Sequence, residues 1–382
     1  MINKYLRVLC ICVLCFVVLL GLAGCKPAAS ATHTTTTTSI SAITSVTTSA
    51  TPTSTITTLS TTTESTTDMP MGMRFPDINE FLIIKYDSNG GQIWQNIEDF
   101  GEKNNSVSLN LDESGNSYII NANYNVKYDN NGKQVYFNTL TNNSGMTPKS
   151  VLDAEGNIYV IADPDTGRIN IFKYDKNGIQ VWAEQYQYPG DLITLPSGIT
   201  LDDAGNIYIT GFTSTQGAAS SDSVENKLLI LKFDNQGNLL WSVKDEGPMQ
   251  GTSAIGPALD NNGNIYVTGF MVNNGVNLTP PNNLIENFEY VTVKYDKKGI
   301  KQWGNYYKGP VNDSDTPHDI KVDSSGNVIV TGESDGLGNI TEITTIKYNP
   351  DGTELWVNRY DGNNGAGGTP SAMTSIIKEI YI

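Results

Sequence analysis

Cysteine is nearly absent from this chain. The four are Cys10, Cys12, Cys15 and Cys25, all within the first 25 of 382 residues. Beyond them a disulfide, a thiolate metal site and a cysteine nucleophile are excluded. Histidine is as scarce, with His33 and His318 alone. No histidine cluster can hold a metal, and no Ser-His-Asp set is legible from spacing. Charge is thin at 17% of residues, and it is lopsided: 40 Asp and Glu against 24 Lys and Arg, a net −16. That balance excludes nucleic acid and anionic membrane surfaces as the main partner. Little charge together with 36 Gly also disfavours helical bundles and coiled coils.

Long apolar runs are missing too, with one exception. Lys4 and Arg7 precede an uncharged, almost wholly apolar stretch from Val8 to Ala23. It is short for a membrane span and suits the core of a signal segment. It ends in Leu22-Ala23-Gly24-Cys25, which resembles the bacterial lipoprotein box. The resemblance implies cleavage after Gly24 and diacylglyceryl transfer to the Cys25 thiol. Two or more acyl chains give stable anchoring where one does not. Loss of Lys4 and Arg7 with residues 1–24 takes the net charge from −16 to −18.

A Thr/Ser stretch follows. Residues 27–68 hold 19 Thr and 8 Ser in 42 positions, with Glu64 and Asp68 the only charges. Too few large apolar residues are present to bury a core, so residues 25–69 read as a disordered linker. As a flexible coil it spans about 35–40 Å, enough to hold a domain off a membrane. Residues 70–382 then form the folded domain.

From residue 81 the chain repeats. One unit reads Lys-Tyr/Phe-Asp/Asn-x-x-Gly-x-x-x-Trp/Tyr and starts at Lys85, Lys127, Lys173, Lys232, Lys294 and Lys347. A second, Asp-x-x-Gly-Asn-x-Tyr/Ile-Val/Ile, starts at Asp112, Asp153, Asp202, Asp260 and Asp323. The two alternate strictly, at a period near 50 residues. Each predicts a β-hairpin: Asp opens the turn by bonding its own backbone, and Gly takes the left-handed position that ends it. Two hairpins make a four-stranded sheet, and such sheets repeated radially are propeller blades. The array begins on an unpaired second hairpin, Phe81 to Asn96. It ends on Thr369-Pro370-Ser371-Ala372-Met373, similar to Thr316-Pro317-His318-Asp319-Ile320. The tail is therefore expected to pair with the first hairpin and close a ring of six blades, or seven if a degenerate copy is uncounted. The alternation resembles the bacterial SBBP-type β-propeller repeat and, more loosely, the PQQ-type propeller repeat. The resemblance implies an all-β propeller and carries no catalytic residue.

All five Trp (94, 182, 241, 303 and 356) occupy one repeat position, which marks them as inter-blade packing rather than a ligand cage. Tyr186, Tyr307 and Tyr360, four residues later, share their strand face. The Asp-rich turns lack the alternating carboxylates and distal Glu of an EF-hand, so no metal is expected, and no cofactor. In an up-and-down blade the hairpin turns lie on one face and the other loops on the opposite one. Those other loops vary: Phe212–Asn226, Met271–Glu289 and Glu333–Glu342 are long, and Asn121–Asn123 is almost nothing. Variable insertions on one face mark a candidate binding face. It would carry Asp222, Glu225, Glu286, Glu289, Glu333 and Asp335, with Asp313, Asp315 and His318 from a crossover. Three functions fit: a binding or scaffold module for an envelope polymer or protein, a glycan hydrolase or lyase using funnel carboxylates, and a scaffold for outer-membrane protein assembly. The chain is expected to be a monomer, exported and held to a membrane by its lipid.

Overall fold

The computed structural model describes residues 37–47, 54–64, 79–87, 91–99 and 107–362, with breaks at 122, 141–147, 163–166, 216–225, 246, 248–253, 274–277, 280–282, 285–286, 312–313 and 338–339. Two compact units divide the chain, one of residues 1–37 with 64–74 and one of 38–63 with 75–382. The first lies almost entirely outside the described residues, as do the signal segment, Cys25 and the tail from 363. The second carries all the sheets. Among the described residues no helix is long and apolar enough to cross a membrane.

Six antiparallel four-stranded sheets follow one another along the chain. Sheet 1 is Thr37–Thr47, Ser54–Glu64, Asn79–Asp87 and Gln92–Asp99; sheet 2 is Ser108–Leu111, Ser117–Ile120, Tyr124–Tyr128 and Gln134–Thr139. Sheet 3 is Lys149–Leu152, Ile158–Ala162, Ile169–Tyr174 and Gln180–Tyr186; sheet 4 is Ile193–Leu201, Ile207–Ser214, Lys227–Phe233 and Leu239–Asp245. Sheet 5 is Ile255–Leu259, Ile265–Asn273, Asn287–Tyr295 and Lys301–Tyr307; sheet 6 is Asp315–Val322, Val328–Gly336, Ile340–Tyr348 and Glu354–Tyr360. From sheet 2 to sheet 6 the first strand of each lies against the first strand of the next. The arrangement is of the β-propeller type, with first strands innermost.

The two repeated hairpins are where the sequence expects them. In the Asp-x-x-Gly-Asn turn, the Gly156 amide donates to the Asp153 carbonyl at 3.0 Å and the Asp153 amide to the Asn157 carbonyl at 3.0 Å. Gly156 stands at φ +84°, a conformation that excludes most side chains. The other turn repeats this, as at Asp234 and Gly237. Second and third strands are apolar on both faces because each inner sheet is covered on both sides. Ile158, Val160, Phe172 and Tyr174 pack toward sheet 2, while Tyr159, Ile161, Ile169 and Ile171 pack toward sheet 4.

In sheets 1 to 5 the fourth-strand aromatic completes the seam to the following sheet. The indole N–H groups of Trp94, Trp182 and Trp303 donate to the turn carbonyls of Asn130, Asn235 and Pro350 at 3.1, 3.3 and 3.0 Å. The turn glycine then lies on the ring: a Cβ on Gly132 would come within 2.7 Å of Trp94, and one on Gly352 within 2.9 Å of Trp303. Two residues after the aromatic, an asparagine amide reaches the same glycine's carbonyl, Asn96 to Gly132 at 2.8 Å and Asn138 to Gly178 at 3.1 Å. Trp is thus packing, as its periodic recurrence implies.

Sheet 1 departs from the sequence reading. Its first two strands come from the Thr-rich segment expected to be a disordered linker, and Ser54–Glu64 pairs with Asn79–Asp87 from Ser54↔Asp87 to Thr62↔Asn79. Thr, Ile and Val are β-branched and suit an extended chain, and the first repeat hairpin offers an open edge. The tail expected to fill those positions lies outside the described residues, so the described sheets form a series of six without a closing contact.

Candidate functional site

The hairpin-turn face is built from groups that bond one another. Asp202 shows the pattern: its carboxylate accepts the Asn206 amide N–H at 2.9 Å, the Asn206 side chain at 2.8 Å and the Tyr208 hydroxyl at 3.1 Å. Burial pushes that carboxyl up, but the Asn206 bonds, Lys232 and Tyr208 together hold it below its usual value. Burial, with the carboxylate alongside, pushes the Tyr208 phenol far above its normal range. The repeat lysine lies over this tyrosine, with the Lys232 ammonium 4.6 Å from the Tyr208 ring centre. Between sheets 3 and 4 the turns border an open cleft of about 400 Å³, lined by Glu155, Tyr159, Lys173, Asp203 and Asn235 among others. Most of these side chains already serve the repeat.

The opposite face is less regular than its sequence implies. The second strand of sheet 6 runs to Gly336 and the third begins at Ile340, so Glu333–Glu342 is mostly strand. Sheet 4 behaves likewise, its second strand reaching Ser214 before Lys227 resumes. In sheet 5 a two-stranded ribbon, Leu278–Thr279 with Asn283–Leu284, fills the insertion.

Of the expected face residues, Asp222, Glu225, Glu286 and Asp313 lie outside the described residues. Glu289 sits half-buried on the third strand of sheet 5, opposite Met271. Asp315 is not on the surface: it is 1% exposed at the start of its strand. Its carboxylate accepts the Gly309 amide at 2.7 Å and the Ser334 hydroxyl. Burial pushes its carboxyl up, against those two bonds and the Arg359 charge. Asp335 accepts the Thr341 hydroxyl at 3.0 Å. These acids belong to a network centred on Arg359. The guanidinium donates to Glu342 at 2.6 Å, to the Tyr307 hydroxyl at 2.6 Å and to the Ser334 hydroxyl at 2.7 Å. Sheet 4 repeats the device with Lys244, which bonds the 3%-exposed Asp191 carboxylate at 3.0 Å while Thr213 donates to that carboxylate at 2.7 Å. Both cations stand three residues after the repeat Trp, a signal that the sequence reading passed over.

His318 and Glu333 remain open. His318 is not in a crossover but on the first strand of sheet 6, at the bulge between Pro317 and Asp319. Its Nε2 lies 3.4 Å from a Glu333 carboxylate oxygen, and both side chains are partly exposed. Glu333 stands where sheets 4 and 5 have Phe212 and Phe270, directly after the Thr-Gly pair. Next along the innermost strand, the Lys321 ammonium meets the Asp319 carboxylate at 2.7 Å. Asp319 also acts across the middle of the array. The Lys149 ammonium of sheet 3 donates to the Ser197 carbonyl; burial among the inner strands pulls its pKa down, and the Asp319 charge opposes this. Asp319, Lys321 and Lys149 on first strands and Glu333 on the second strand of sheet 6 thus put charge of both signs near the inner edge of the sheets, with the His318 imidazole beside Glu333. Such a set can hold a ligand bearing hydroxyl and charged groups. It holds no close nucleophile and base pair that would define a reaction.

No family model matches the chain, and no curated protein matches it. Solved structures do. The BP39L lectin from Burkholderia pseudomallei is 9% identical, over 82% of this chain and 84% of that one, with a TM-score of 0.45. The hydrazine synthase of Kuenenia stuttgartiensis is 12% identical, over 69% and 70%, at 0.49. A protein of unknown function from Bacteroides caccae is 12% identical, over 73% and 90%, at 0.44. At these values the class, an all-β protein of the propeller type, rests on the chain's own sheet topology.

Proposed function

We propose that this chain is an exported, lipid-anchored six-bladed β-propeller. It works as a monomeric binding module at the cell envelope and holds an envelope polymer at the mouth of its central channel. One observation carries the binding reading. Sheet 6 brings a polar pair together, with His318 on the first strand and Glu333 on the second, where sheets 4 and 5 have Phe212 and Phe270, and the two side chains meet at 3.4 Å. In a repeat, residues needed for packing recur; these two positions vary from sheet to sheet and their side chains are partly exposed, which leaves the pair available for recognition. Anchoring rests on Leu22-Ala23-Gly24-Cys25 after the apolar run. The domain stands outside the cytoplasmic membrane, or at the outer membrane or cell surface, with no role in nucleic-acid binding.

Two experiments test this. Cys25→Ala should abolish acyl labelling and release the chain from the membrane fraction; continued labelling overturns the anchor. The purified chain should melt at higher temperature with one class of soluble envelope polysaccharide, because a ligand bound only to the folded state stabilises it by mass action. Glu333→Gln with His318→Ala should lose that shift at unchanged unliganded melting temperature. A full shift in that variant removes the channel mouth as the site, and no shift with any polysaccharide overturns the polymer reading.

A further inference from the structure

One seat on the hairpin-turn face occurs twice, at two sizes. Between sheets 5 and 6 a cleft of about 140 Å³ is bordered by the turns of Asp260 and the segment Ser324 to Gly326, with Lys294 and Pro350. Between sheets 3 and 4 the matching turns of Asp153 and Asp202, with Lys173 and Asn235, border a cleft of about 400 Å³. The residues correspond position by position. Ala154 and Ala204 stand where the smaller cleft has Asn261 and Ser325, so two short apolar side chains replace two longer polar ones. Small-molecule sites generally occupy about 300 Å³ or more, which of the two only the larger cleft offers.

The lysine at the larger seat is weakly held. Its counterpart Lys294 donates to the Pro350 carbonyl at 2.8 Å, and Lys347 meets the Asp323 carboxylate at 2.8 Å. Lys173 reaches the Asn235 carbonyl at 3.4 Å, beyond the ordinary range of such bonds, and lies 4.9 Å from the Tyr159 ring centre. An ammonium has three donors, and among the described residues this one long bond is all that Lys173 makes.

The turns differ in charge as well. Glu155 of sheet 3 and Asp203 of sheet 4 are exposed carboxylates, one from each bordering sheet. The smaller cleft has Asn262 and Ser324 at those positions. Neither acid is needed to close its turn. The Asp153 and Asp202 carboxylates serve there, each accepting a side-chain N–H at 2.8 Å, from Asn157 and Asn206. Glu155 takes a long bond from the Asn157 side chain at 3.3 Å. Among the described residues neither Glu155 nor Asp203 forms an ion pair, and no three acids gather closely enough to hold a metal ion.

We propose that the cleft between sheets 3 and 4 binds a basic amino acid, free or at the end of a peptide. The ligand's carboxylate takes the Lys173 ammonium, and its two ammonium groups take Glu155 and Asp203. The match is one of sign and number: the cleft offers one cation and two anions outside the repeat's own bonding, and the ligand carries the reverse. A simple acid would meet two uncompensated carboxylates, and a simple amine would leave Lys173 unanswered. The cleft lies on the turn face, apart from His318 and Glu333, so the proposal does not rest on the polymer reading.

The test is calorimetric titration of the full chain with L-lysine, beside Nα-acetyl-L-lysine and L-lysinamide, which lack the α-ammonium and the carboxylate. Each loss should weaken binding by about tenfold, the scale of one charge-assisted contact. Glycyl-L-lysine decides the source: binding tighter than that of lysine assigns a peptide end, and weaker binding assigns the free amino acid. Ala154→Asn with Glu155→Asn, Asp203→Ser and Ala204→Ser copies the smaller cleft. It should abolish binding at unchanged melting temperature, because the same turns already carry those side chains in sheets 5 and 6. Should that variant not fold, Glu155→Gln with Asp203→Asn alters exposed groups alone and should weaken lysine binding by about tenfold or more. Glu333→Gln with His318→Ala should bind lysine like the unaltered chain, whatever the polysaccharide screen returns. No heat with lysine or glycyl-lysine overturns the proposal. So does lysinamide binding as tightly as lysine, which would mean diffuse attraction to an acidic protein. Full binding by the cleft variants overturns it too, since the site would then lie elsewhere.

Discussion

Gly198→Ala is expected to be the most damaging single methyl that the described sheets can receive. A Cβ at this position would lie 1.4 Å from the Gly256 carbonyl oxygen of the next sheet. No side-chain rotation relieves that contact, because the obstacle is backbone. The first strands of sheets 4 and 5 would have to part by more than an ångström, and Thr210 would lose its 2.7 Å bond to the same oxygen. Overpacking of this kind costs about 3 kcal/mol or more, roughly 6–12 °C in melting temperature for a domain of this size. Gly304→Ala is the control, since its Cβ would meet nothing closer than Val293 at 3.3 Å. Equal melting temperatures for the two variants would show that the inner seam is looser than this geometry. The seam lies beside the inner-strand contact in which Lys149 bonds Ser197, so the loss should disturb that contact as well.

The hairpins were legible because a turn is local chemistry. Asp153 bonds Asn157 four residues away, and Gly156 must take a positive φ, so sequence and geometry state one thing. The packing role of Trp was legible for another reason: recurrence at fixed spacing needs a recurring partner, and Gly132 or Gly352 of the next sheet is that partner. The site was legible only in fragments. His318 and Glu333 stood out by residue type, but their meeting depends on a bulge at Pro317 that shifts the register by one. Lys149 and Asp319 act on each other across 170 positions of sequence and three sheets, and no spacing reveals such a pair. Asp315 misled for a physical reason. An acid in a crossover reads as solvated, yet here the Gly309 amide, Ser334 and Arg359 make burial tolerable. The Thr-rich strands of sheet 1 misled in the opposite way, since composition alone measures the missing core and not the open edge beside it.

Arg359→Met should show how that burial is sustained. The guanidinium is 21% exposed and its partner Glu342 17%, so the pair is shielded from solvent on most sides. Removing it strands the Glu342 carboxylate, the Tyr307 and Ser334 hydroxyls and the Asp335 carbonyl, which Arg359 bonds at 3.2 Å. Breaking one side of a buried ion pair costs about 3–5 kcal/mol, and the residual exposure sets this case near 3, or roughly 6–12 °C. The loss should also depend on pH with a definite sign. Burial raises the Asp315 carboxyl above its unfolded value of about 3.9, so its stability contribution is full below that value and is lost as pH rises through the folded pKa. Arg359 is one of the groups that lower this pKa, and Asp335 opposes it. Without the guanidinium the window extends upward, and the variant should lose more stability at pH 7 than near pH 4, close to the unfolded value. Asp315→Asn in the Arg359→Met background removes the titrating charge while keeping the shape, and should recover part of the loss at pH 7. A penalty that is flat between those pH values, or no recovery in the double variant, would mean that Arg359 acts on Glu342 alone and that Asp315 is held by Ser334 and Gly309 without help from the charge.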